Sequence, residues 1–134
     1  MTRKVLRIGL VLLVLSLAVG CATFKSLTSS ELSSVDKAMK VGDDLMDYYT
    51  LVHKNAEDAY ASGTEEQKAD MREKINPKLN AVKNKITLYN DLVLSWKKGE
   101  LPPNLDPEAD LYANQQEISR TLTEVLQMIN QLME

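Results

Sequence analysis

The side chains able to do chemistry are few and scattered. His53 is the only histidine, and Glu57 follows it one helical turn later. A stable transition-metal site needs three or four ligands in a closed geometry. Nothing in the sequence adds to this pair, so His53 reads as a residue at the edge of a packed helix face. Asp43, Asp44 and Asp47 form a small acidic cluster, yet a calcium hand also needs a turning glycine and a terminal glutamate. Without them the cluster reads as a solvated helix face. Thr50 stands three residues before His53, where a di-iron bundle would carry the glutamate of a Glu-x-x-His pair. With no second histidine, no Gly-x-Ser-x-Gly elbow and no glycine-rich phosphate loop, neither a serine triad nor a nucleotide site can be assembled. The expectation is a protein without catalysis, metal or cofactor.

One reactive group remains. Cys21 is the only cysteine, so it has no partner for an intramolecular disulfide and its thiol needs another use. It stands behind Arg3, Lys4 and Arg7 and the twelve-residue apolar stretch Ile8 to Val19, which only Gly9 and Ser16 interrupt. A helix of that length reaches about 18 Å, well short of a bilayer core of roughly 30 Å, and so reads as a signal sequence instead of a membrane span. The small residues Ala18 and Gly20 suit a peptidase cleft.

Ala18-Val19-Gly20-Cys21 resembles the lipobox of bacterial lipoproteins, with alanine at the position where the family more often has leucine. The resemblance covers residues 1–21 and implies cleavage before Cys21, a diacylglycerol thioether on its sulfur and acylation of the new amino group. Membrane lipid is then the first partner, since two or three acyl chains give stable anchoring where one does not. Ala22 occupies the place of the aspartate that typically retains such proteins at the inner membrane. The implied location in a diderm host is the periplasmic face of the outer membrane.

Loss of residues 1–20 removes three of 16 basic side chains and none of 19 acidic ones, leaving residues 21–134 with a net charge of minus six. Such a surface disfavours nucleic acid and anionic lipid as partners. The remaining length fits one small domain. Five glycines, four prolines and a single phenylalanine supply little material for a sheet with its turns, which points to an all-α fold.

The elements follow from apolar spacing. Residues 21–30 form the lipidated cysteine and a short Ser/Thr-rich tether; nine extended residues span roughly 30 Å. The bundle then occupies 31–134. Its first helix is expected over about 30–61, starting at Ser29 or Ser30 with Ser33 and Ser34 as alternative caps. Leu32, Val35, Met39, Gly42, Met46, Tyr49, His53, Ala56 and Tyr60 form its seam at steps of three and four, and Ala38, Leu45, Val52 and Ala59 widen it. A second helix over 65–98 opens on a capping box from Thr64 to Gln67. Its seam comprises Met71, Ile75, Leu79, Val82, Ile86, Tyr89, Val93 and Trp96, with Leu88 and Leu92 on the flank. Pro77 either kinks this helix or ends a short one, with Asn76 capping the next; the continuing apolar phase favours the kink. After a proline-bearing loop, Asp106-Pro107-Glu108 starts a third helix over 107–133. Its seam is Leu111, Gln115, Ile118, Leu122, Val125, Ile129 and Leu132, joined by Leu126 and Met133. Three such helices with short links are expected to pack as an up-down-up three-helix bundle.

Recognition is expected from aromatic residues with a polar edge. Tyr49, Tyr89 and Trp96 lie on inward seams and read as core. Tyr48 and Tyr112 lie off the main seams and are the candidate partner contacts, together with Pro102 and Pro103 of the loop. The expected function is a binding, adaptor or structural module of the cell envelope, engaging another envelope protein or its own copy. The alternatives are a bundle that binds a small molecule or ion, and a lysis or envelope component of a mobile element.

Overall fold

A computed structural model of the chain describes residues 33–134. The signal sequence, Cys21 and the tether lie outside the described residues, as do Leu32 and the caps expected at Ser29 or Ser30. The described chain is all-α. Helix α1 spans Ser34–Ser62, α2 spans Glu65–Asp70, a π-helical turn covers Met71–Ile75, α3 spans Asn76–Lys98 and α4 spans Pro107–Met133. From Glu65 to Lys98 the chain runs as one rod, so three rods pack together, each against the other two.

Local chemistry sets the ends. Ser33, one of the alternative caps, accepts a hydrogen bond from the Asp36 amide at 3.2 Å, satisfying a donor that the first turn of α1 leaves free. At the other end the Gly63 amide donates to the Tyr60 carbonyl. The capping box forms in full: Gln67 N–H donates to the Thr64 hydroxyl at 3.2 Å, and Thr64 N–H donates to Gln67 Oε1 at 2.8 Å. Gly99 closes α3 in the left-handed conformation at φ 73°, after Lys97 and Lys98. Asp106 caps α4 by accepting from Ala109 N–H, with Pro107 in its first turn.

The second rod continues as helix through Pro77 and is not broken there. Asn76 does not cap a new helix: it is right-handed helical, and its N–H donates to the Met71 carbonyl five residues back. The irregularity is this wider turn, placed just before the proline. A proline inside a regular helix removes a donor and clashes with the carbonyl four residues earlier, and a π turn moves that carbonyl aside. The wider turn also explains the apolar spacing. Met71, Ile75 and Leu79 are separated by two successive steps of four, which would drift round a regular helix, yet none is more than 3 % exposed.

The core is continuous through all three rods. On the α3 and α4 seams, Val82, Ile86, Tyr89, Val93, Leu111, Ile118, Leu122, Val125, Leu126 and Ile129 are buried as expected, each large aliphatic side chain contributing about 1.5–3 kcal/mol. Trp96 and Leu132 are only partly buried against it, and Leu88 is 67 % exposed. On α1 the buried face is rotated from the expected one. Its centre is Ala38, Val41, Leu45, Tyr48, Val52 and Ala59, while Met39 is exposed and Met46, His53 and Tyr60 sit at the edge. This face is the one that meets both neighbours, since α1 packs against α3 and α4 alike. Gly42 shows how tight the approach is: a Cβ there would collide with the Asn90 side-chain oxygen and stand 3.3 Å from Tyr89 Cε1.

Polar contacts pin the rods. The Tyr89 hydroxyl donates to the Ala38 carbonyl at 3.1 Å. Gln67 Nε2 donates to the Leu132 carbonyl at 2.6 Å, so one side chain caps the start of α2 and satisfies the end of α4. Lys85 pairs with Glu117 between α3 and α4, holding the Glu117 carboxyl below the usual range through its hydrogen bond and charge. No described helix is long and apolar enough to cross a membrane.

Candidate functional site

The four expected contact residues separate into two groups. Tyr48 is corrected: it is 5 % exposed, inside the core, and its hydroxyl lies 3.0 Å from Thr123 Oγ1. Because the Thr123 hydroxyl donates to the Ser119 carbonyl, Tyr48 is the donor in that pair. A tyrosine held this way bridges α1 and α4 and offers no surface to a partner. Tyr112, by contrast, is 46 % exposed, and Pro102 and Pro103 are exposed in the loop between α3 and α4. There the Leu105 amide donates to the Pro102 carbonyl at 3.1 Å, which folds the loop into a turn. Cys21 lies outside the described residues.

Tyr112 borders a groove of about 380 Å³ at the end of the bundle where α1 begins, α3 finishes and α4 begins. Its apolar wall consists of Ala38 from α1, Tyr89 and Trp96 from α3, and Leu111 and Tyr112 from α4. Ser34 and Lys37 from α1 and Glu108 and Gln115 from α4 supply the polar part. The rings of Trp96 and Tyr112 line the groove.

Gln115 is the one buried polar residue among the described residues, at 5 % exposure. It occupies a seam position between Leu111 and Ile118, yet makes no side-chain hydrogen bond with another described residue. No side-chain polar atom among the described residues is buried without a partner, and Gln115 lines an open groove. Lys37 and Glu108 put one positive and one negative charge on opposite helices, so the groove carries no net charge. Burial pushes the Tyr89 phenol well above its ordinary range, which keeps it a neutral donor to Ala38.

The other candidates do not assemble into a site. His53 Nδ1 lies 3.6 Å from Glu57 Oε1, and both side chains are largely open to solvent. The Tyr49 ring is 5.6 Å from the His53 ring in a tilted arrangement, and burial together with the nearby Glu57 charge raises its phenol. Asp43 and Asp47 are exposed and Asp44 is half-buried. Among the described residues no three His, Cys, Asp or Glu side chains come together as metal ligands.

Trp96, Gln115, Lys37 and Glu108 are groove residues that sequence reasoning did not single out. Gln115 left a visible signal, being the only polar member of the α4 seam. Trp96 was weighed as a recognition aromatic and read as core, whereas it is only partly buried and lines the groove; Lys37 and Glu108 left no signal, because their convergence depends on how the helices meet. Comparison with known proteins finds no matching family model, no similar curated protein and no similar solved structure.

Proposed function

We propose that this chain is a lipid-anchored helical binding module of a bacterial cell envelope, matured by cleavage before Cys21 and held at the membrane by acyl chains on that cysteine. Its role is adaptor or structural, without catalysis. The observation that carries the reading is the position of the groove. It is lined by Ser34, Lys37 and Ala38 in the first turns of α1, so the binding surface lies at the end of the bundle that the tether enters. The lipobox-like residues Ala18 to Cys21 supply the anchor.

In this account the helices run up, down and up. Ala38 near the start of α1 meets Tyr89 in the second half of α3, and Tyr60 near the end of α1 accepts from Arg72 just before α3. Gln67 at the start of the second rod reaches Leu132 at the end of α4. These pairings support antiparallel neighbours, and the short links between rods agree. The loop with Pro102 and Pro103 then faces the membrane side together with Tyr112. In a diderm host the proposed place is the periplasmic face of the outer membrane, and the partner is another envelope protein or a second copy. A small-molecule role is the second reading, favoured by a groove volume of about 380 Å³, within the common range for small-ligand sites.

Fractionation tests the anchor. Wild-type protein expressed in a bacterium is expected to stay with membranes through a high-salt wash, while Cys21→Ala appears in the soluble fraction. Equal partition of the two would refute the proposal.

A further inference from the structure

We draw no further inference here: the strongest candidate, the groove where α1 begins, α3 finishes and α4 begins, belongs to the site already described, and nothing in the structure shows what covers it.

Discussion

The hydroxyl of Tyr89 in α3 donates to the backbone carbonyl of Ala38 in α1 across 3.1 Å of buried interface. Tyr89 is 2 % exposed and Ala38 4 %, so this bond ties the two rods immediately beneath the groove. Tyr89→Phe is expected to cost about 1 kcal/mol, the net worth of one buried hydrogen bond, measured by urea denaturation near neutral pH.

The same phenol makes stability depend on alkaline pH. Burial raises its folded-state pKa well above the ordinary value of 10.0, so the folded state holds a proton that the unfolded chain releases. Stability is therefore fully present below about pH 10 and declines above it, by up to about 1.4 kcal/mol per pH unit. Denaturation curves from pH 8 to 11 are expected to fall more steeply for wild type than for Tyr89→Phe. Parallel curves would contradict the assignment.

Gly42 and Asn90 are coupled. A methyl group at position 42 collides with the Asn90 side-chain oxygen, while alanine is favoured over glycine inside a helix by about 1 kcal/mol. Gly42→Ala is expected to be more favourable by about 1 kcal/mol in an Asn90→Ala background than in wild type, read from a double-mutant cycle. Additive effects would show that the two do not touch.

Ile86 is fully buried. An unpaired carboxylate there costs several kcal/mol, comparable to the whole stability of a small domain. Ile86→Asp is expected to abolish the cooperative thermal transition in circular dichroism; an unchanged melting curve would contradict the packing of the bundle.

The π turn at Met71–Ile75 holds one residue more than a regular helix needs. Deleting exposed Glu73 would turn the step from Met71 to Ile75 into three and force Pro77 into a regular helix, at a cost of about 3 kcal/mol. Adding Pro77→Ala to the deletion is expected to recover most of that loss. A deletion variant as stable as wild type would assign the π turn to some other cause.

How far the fold was legible varied with the geometry of each helix. The α3 and α4 seams could be read directly because each has one clear apolar stripe. On α1 two stripes of three-four spacing overlap. The one carrying Met39, Met46 and His53 has larger side chains, but the buried centre is the run Ala38, Val41, Leu45, Tyr48, Val52 and Ala59. Which stripe is buried depends on how α1 meets two neighbours at once, a tertiary demand that periodicity alone does not express. Tyr48 was misplaced because it belongs to this second stripe, where its hydroxyl meets Thr123 of α4. The two steps of four around Ile75 hinted at the π turn, whose proline-driven cause appears only once the backbone is seen. Of the groove, Tyr112 was readable as an exposed position and Gln115 stood out on its seam, whereas Pro102 and Pro103, also readable as exposed, do not line it. Its shape was not readable, since its lining comes from three different helices.

The most direct test of the central claim is the intact mass of the N-terminal peptide from protein extracted out of bacterial membranes. The account predicts a peptide beginning at Cys21 and carrying a diacylglycerol thioether with an acylated amino group. A peptide retaining residues 1–20, or one beginning at an unmodified Cys21, would contradict it.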